Sequence, residues 1–142
     1  MTTVQRLLDS KGPGVWSVSP DDNVSGAIKE MAVKDVGALL VMDGDNPVGM
    51  FTERDYVRNV FLKGKSSPET PVRDVMAKPI IFVRPEQTVD ECMSVMTRKR
   101  VRHLPVLDDG VLVGMVSIGD LVKSVIEEQQ HTIEQLEEYI HS

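Results

Sequence analysis

The sequence predicts an α/β protein: two β-α-β-β-α repeats packed with pseudo-twofold symmetry, plus a C-terminal helix. Three observations predict it. Residues 15–57 align without a gap onto residues 80–122 at a constant offset of 65, with fourteen identities that include Val18/Val83, Pro20/Pro85, Met31/Met96, Val48-Gly49-Met50/Val113-Gly114-Met115 and Asp55/Asp120. Each copy runs in the same order from a short apolar stretch through a helical pattern to two apolar runs and a second helix. A unit of that size cannot bury both faces of its small sheet alone, whereas two packed sheet to sheet can.

The elements follow in chain order. "VWSVSP" and "IIFVRP" open the copies as extended segments. Val24, Ala27, Ile28 and Met31, and then Val89, Cys92, Met93 and Met96, fall at i, i+3, i+4, i+7, which predicts an amphipathic helix in each copy. Thr88 followed by Glu91 is the capping-box pattern at the second of these helix starts. The paired runs "GALLVMD"/"PVGMFT" and "HLPVLDD"/"VLVGMVS" read as hairpins, with Asp43-Gly44 and Asp109-Gly110 as turn signals. A second helix closes each copy. The segment ahead of each copy repeats as well, "VQRLLDSK" against "VRDVMAKP", but at an offset of 68, so the first copy carries about three extra residues between Lys11 and Gly14. The Pro/Ser/Lys-rich "LKGKSSPETP" is the linker, which divides the chain into repeat 1 (1–61), linker (62–71), repeat 2 (72–126) and a helical extension (127–142).

Composition bounds the function. The chain is 41% hydrophobic and 27% charged, ordinary for a globular protein. No apolar run reaches the about 18 residues that a membrane span needs. The opening "MTTVQRLLDSKG" lacks the apolar region of a signal peptide, and the single Cys92 cannot form an internal disulfide; both fit a reducing cytoplasm. Six acids against Lys123 put a net −5 on residues 120–142, leaving the rest of the −6 chain near neutral. That balance and 4% aromatic content argue against nucleic acid as a partner. The basic run "RKRVRH", residues 98–103, suggests a small anion instead.

The chemistry-bearing feature is a hydroxyl residue three positions before an aspartate at each strand-to-helix junction: Thr52 and Asp55 in "TERD", then Ser117 and Asp120 in "SIGD". An ionised carboxylate only accepts hydrogen bonds and can take two from a cis-diol, and a helix start presents free N–H groups that favour phosphate. The same pattern also suits plain helix capping. Arg98 and Lys99 complement the C-terminal end of the preceding helix dipole. Arg102 and His103, where the first copy has Gly37 and Ala38, put positive charge on one copy only.

The tandem repeat, the "V-x-P" after each opening stretch, "HLPVLD" midway and the terminal hydroxyl–aspartate motif resemble a pair of cystathionine β-synthase (CBS) domains, or Bateman module, of the small stand-alone bacterial type. The resemblance covers about residues 3–125. It implies a regulatory module that binds AMP, ADP, ATP or NAD(H) in the clefts between the repeats, with S-adenosylmethionine as an alternative ligand and a ligand-free interaction scaffold as an alternative role. Thr52, Asp55, Ser117 and Asp120 are implied ribose and phosphate contacts, with Glu53 and Gly119 in the same motif. Arg54, Arg102 and His103 are implied phosphate contacts, and Gly37, Ala38, Leu104 and Pro105 line the same strand starts. Val15, Trp16 and Ile81 match the segment that encloses the adenine, although Trp16 equally suits simple packing.

Catalysis is not expected, and neither is a catalytic cofactor or a metal. His103, His131 and His141 are scattered, Cys92 lies on an apolar helix face, and no phosphate loop, metal-ligand spacing or nucleophile elbow occurs. In the tail, Val122, Ile126, Gln129, Ile133, Leu136 and Ile140 alternate steps of four and three, a heptad seam that predicts a homodimer contact. An unidentified regulated protein is the remaining expected partner.

Overall fold

The computed structural model describes residues 2–12 and 14–141; Pro13, within the Lys11–Gly14 insertion, lies outside the described residues, as do Met1 and Ser142. The order is α1 (Val4–Lys11), β1 (Ser17–Val18), α2 (Val24–Lys34), β2 (Ala38–Asp43), β3 (Asn46–Thr52), α3 (Glu53–Tyr56), a π-helical turn (Val57–Phe61), a 3-10 turn (Val72–Asp74), α4 (Val89–Lys99), β4 (His103–Asp108), β5 (Val111–Ser117) and α5 (Ile118–His141). The chain divides into two compact units, Gly14–Ile81 and Met1–Pro13 with Phe82–Ser142.

The units are not the two sequence copies taken whole: each copy packs with the leader segment that precedes the other. In one unit, Val72 N–H donates to Asp22 O (2.8 Å) and Arg73 N–H to Pro20 O (3.1 Å). In the other, Val4 N–H donates to Gln87 O (2.8 Å) and Gln5 N–H to Pro85 O (2.9 Å), the same bonds one repeat on. The offset of 68 between leaders thus marks one docking segment used twice. Its registration depends on a glycine that recurs in the hairpin. A Cβ on Gly49 would lie 2.6 Å from Met76 Sδ and 2.9 Å from Ala77 O, and one on Gly114 would lie 2.7 Å from Leu8 Cδ2.

The sheets repeat in detail. β2 pairs antiparallel with β3, and β4 with β5; both ladders carry an irregularity at the equivalent place, between Val41/Met42 and between Val106/Leu107. β1 adds a parallel strand to the first sheet. The matching stretch of the second copy, expected to be extended, contributes only a parallel bridge between Val83 and Val106. The hairpin turns differ: only Gly44 has positive φ in the first, the pattern of a II′ turn, whereas Asp109 and Gly110 both do in the second, as type I′ requires.

Both predicted amphipathic helices form. α2 buries Val24, Ala27 and Met31 and is capped by the Asn23 side chain; α4 buries Val89, Cys92 and Met96 and is capped by Thr88. Glu91 N–H donates to Thr88 Oγ, and the Thr88 hydroxyl donates to the Glu91 carboxylate. Each helix ends on a left-handed residue other than glycine, Asp35 (φ 54°) and Arg100 (φ 55°). Val36 N–H then bonds Met31 O, and Val101 N–H bonds Met96 O, closing Schellman-type turns. In the first unit Leu39, Val41, Phe51, Val60, Val72 and Val75 complete the core with α2.

The closing helices diverge. After Thr52 the chain makes one α-turn and then a π-helical turn, with Leu62 N–H bonded to Val57 O, before Gly64 adopts positive φ. After Ser117 a single helix runs 24 residues, so the predicted extension is continuous with the closing helix of the second copy. The heptad seam is exposed on this chain: Ile126 by 60%, Leu136 by 58% and Ile140 by 75%.

Candidate functional site

Each unit carries its own candidate site at a strand-to-helix junction. At the first, Asp55 N–H donates to Thr52 Oγ (3.1 Å), and Asp55 Oδ2 accepts from Thr52 N–H (3.0 Å) and from the Thr52 hydroxyl (3.0 Å). At the second, Asp120 N–H donates to Ser117 Oγ (3.2 Å) and Asp120 Oδ2 accepts from Ser117 N–H (2.8 Å). Both junctions therefore contain a reciprocal helix cap, the local reason for this residue pair at a helix start. In both, the cap uses Oδ2.

The neighbouring strand is tied to each junction identically. Glu53 N–H donates to Gly37 O (3.1 Å) and Ile118 N–H to Arg102 O (2.9 Å), while Ala38 pairs with Thr52 and His103 with Ser117 across the hairpins. The fold thus gathers Gly37, Ala38, Thr52, Glu53, Arg54 and Asp55 in one unit, and Arg102, His103, Ser117, Gly119 and Asp120 in the other. Arg54, Arg102 and Gly119 are exposed and His103 is half-buried. Leu104 and Pro105 are buried, and Pro105 O already accepts from Val83 N–H, so these two belong to the core. Trp16 is half-exposed, with Lys34 Nζ 4.3 Å from its ring centroid; Val15 beside it is partly buried. Ile81, aligned with the opening stretch of the second copy, falls in the unit of the first.

One group the sequence reading passed over sits in the second junction. Lys11, at the end of α1, donates to Asp120 Oδ2 (2.6 Å) and to Met115 O (2.8 Å). Its signal was in the sequence: Val4, Leu7, Leu8 and Lys11 stand at i, i+3, i+4, i+7, so Lys11, though exposed, lies on the same side of α1 as the three buried residues. In the leader of the second copy the matching residue is Pro79. The two carboxylates consequently titrate differently. Burial pushes Asp55 above the ordinary carboxylate value, against the opposing Thr52 hydrogen bonds and the Arg54 charge. Burial also pushes Asp120 upward, but the Lys11 ammonium and the Ser117 bonds outweigh it and hold the group below that value.

A hollow of about 420 Å³ in the first unit, lined by Ser17, Val18, Asp22, Asn23, Gly26 and Glu30, includes none of the predicted contacts. Among the described residues no cluster of three or more His, Cys, Asp or Glu side chains is placed to hold a metal, and no helix is long and apolar enough to cross a membrane.

Two hairpins, each closed onto a helix by a hydroxyl–aspartate cap and each docked by a short leader segment, define a tandem-repeat module. The CBS domain family model matches residues 12–61 and 72–127, and the chain belongs to that family. It is 40% identical over 148 residues to the mitochondrial CBS domain-containing protein CBSX3 of Arabidopsis thaliana, covering 98% of this chain and 72% of that one. Among solved structures, a protein with CBS domains from Burkholderia ambifaria MC40-6 is 51% identical, with TM-score 0.86 over 90% of this chain and 96% of that one. A CBS-domain containing protein from Agrobacterium tumefaciens is 40% identical, with TM-score 0.82 over 87% and 98%.

Proposed function

We propose that this protein is a non-catalytic sensor of adenosine-containing ligands, AMP, ADP, ATP or NAD(H), engaged through its two hydroxyl–aspartate junctions. One observation carries the reading: in both junctions the cap N–H reaches Oδ2 and not Oδ1, so a diol spanning both oxygens of Asp55 or Asp120 keeps that cap bond and displaces only the second donor on Oδ2, the Thr52 hydroxyl or Lys11. Capping and ligand contact are then compatible roles of one carboxylate rather than rivals. Exposed Arg54 and Arg102 supply cations for phosphate beside the junctions, and Trp16 offers a ring face for the base if Lys34 swings aside. A bound ligand regulates only if it favours one arrangement of the protein over another. The single buried Cys92 fits a reducing compartment.

Calorimetric titration with AMP, ATP, NADH and S-adenosylmethionine tests this, with Trp16 emission as a second readout. Asp55→Asn and Asp120→Asn are the informative variants, because an amide oxygen can still accept the cap N–H while the charge is lost. Each should weaken binding and leave the melting curve cooperative. Identical titration curves for both variants and the native chain would refute the assignment. Chromatography of the nucleotide after long incubation should show no turnover.

The exposed seam of α5 favours self-assembly as the output stage, with Ile126, Ile133, Leu136 and Ile140 as the contact. Ile133→Lys with Leu136→Lys changes only exposed positions and should leave a folded monomer by light scattering. An unchanged mass would show that the seam does not hold a dimer.

A further inference from the structure

We propose that Lys11 is a built-in competitor for the Asp120 junction, so that the two junctions bind an adenosine ligand unequally and Asp55 fills first. This rests on the nucleotide reading above and deepens it. The two sites share their cap bonds and sequence spacing; besides the charges on the flanking residues, Arg54 at the first and Arg102 at the second, they differ at the aspartate itself in the second donor on Oδ2. At Asp55 that donor is the hydroxyl of Thr52, which turns away by rotation about one bond. At Asp120 it is an ammonium at 2.6 Å, held in place by a further bond to Met115 O at 2.8 Å. A diol that uses both carboxylate oxygens must displace Thr52's proton in the first case and an ion pair in the second. Charge-assisted bonds are roughly twice as strong as neutral ones, so the second displacement is the harder. Both side chains are partly exposed, Lys11 by 34% and Asp120 by 24%, so water weakens the pair without abolishing it. Lys11 ends a helix whose Val4, Leu7 and Leu8 are buried, so its stem is anchored and its reach fixed. The competing cation comes from the leader, and the leader of the second copy offers Pro79 in its place. Ligand arriving at Asp120 therefore releases the Lys11 ammonium from the carboxylate, which links occupancy of that junction to the leader segment.

The test is calorimetry with AMP in an Asp55→Asn background, which isolates the Asp120 junction. Adding Lys11→Met should tighten AMP binding there by roughly two- to fivefold, the range expected for a partly exposed ion pair. Lys11→Arg, which keeps the charge, should not. Lys11→Gln provides an independent neutral variant, and a thermal melt confirms that each variant is folded. Unchanged or weaker AMP binding in both neutral variants overturns the competitor role. Absence of AMP binding in the native chain and every variant overturns the nucleotide reading and this inference with it, so the two failures are distinguishable.

Discussion

Converting the two junction aspartates to asparagine should move stability in opposite directions at neutral pH. Asp120 is held below the ordinary carboxylate value of 3.8, so its charged form favours the folded state. That contribution is complete above 3.8 and is lost as pH falls through the lower folded value. The Lys11 contact at 2.6 Å has short, charge-assisted geometry, but its side chains are 34% and 24% exposed, and screening reduces what it contributes. Asp120→Asn should therefore cost about 1 kcal/mol at neutral pH. Asp55 is raised above 3.8, with burial as the largest cause, so its charged form opposes folding at neutral pH and the penalty eases as pH falls through the raised value. Asp55→Asn should then be neutral or stabilising by about 0.5 kcal/mol, the amide still accepting the Thr52 N–H. Urea denaturation followed by circular dichroism, at neutral and acid pH, reads both signs. A double-mutant cycle of Asp120→Asn with Lys11→Met should give a coupling of about 0.5–1 kcal/mol that shrinks in about 1 M salt, where the screening length is about 3 Å. Equal destabilisation by both amides, with no coupling to Lys11, would show that the cap bonds alone govern both sites and that the ion pair contributes nothing.

Two further comparisons exploit the repeat. Gly49→Ala drives a methyl against the Ala77 carbonyl, which is backbone, whereas Gly114→Ala meets only the Leu8 side chain; thermal melts should show a loss of about 1–3 kcal/mol for the first and a smaller one for the second. Asp35→Gly should stabilise by about 0.5–1 kcal/mol, because it relieves a left-handed residue and removes an anion from the end of α2. Arg100→Gly relieves the same conformation at the end of α4 but gives up a favourable cation, so its gain in chemical denaturation should be smaller; equal gains would rule out the dipole contribution.

Periodicity and internal repetition exposed the elements of the fold because both are local. Val24, Ala27 and Met31 must share a face once the chain is helical, and their counterparts Val89, Cys92 and Met96 bury in the same way. The exchange of leaders was not legible, because "VQRLLDSK" and "VRDVMAKP" look alike and nothing in their spacing says which copy each one docks on. The reduced opening stretch of the second copy was equally hidden: a single bridge at Val83 needs no more sequence than a two-residue strand. At the candidate site the hydroxyl–aspartate pairs were visible from spacing alone, and their cap bonds follow from it. The ion pair to Asp120 was not, since Lys11 and Asp120 stand 109 positions apart and meet only through the docking of α1.

Part of the asymmetry of the two junctions originates outside the repeats. Within the gapless alignment Thr52/Asp55 and Ser117/Asp120 are interchangeable, and their cap distances agree within 0.2 Å, 3.1 against 3.2 Å and 3.0 against 2.8 Å. Beyond the charges on their flanking residues, the leaders differ: Lys11 stands where the other has Pro79, which carries neither a charge nor an N–H. Because each leader docks on the opposite copy, a substitution at residue 11 tunes the second junction and leaves the first untouched. If that logic holds, Pro79→Lys would place a cation near Asp55 and should lower its titration below the ordinary carboxylate value, measured by carboxyl NMR. An Asp55 titration that stays raised in that variant, with the fold intact, would show that the reach of Lys11 depends on the α-helical form of its own leader and not on its position alone.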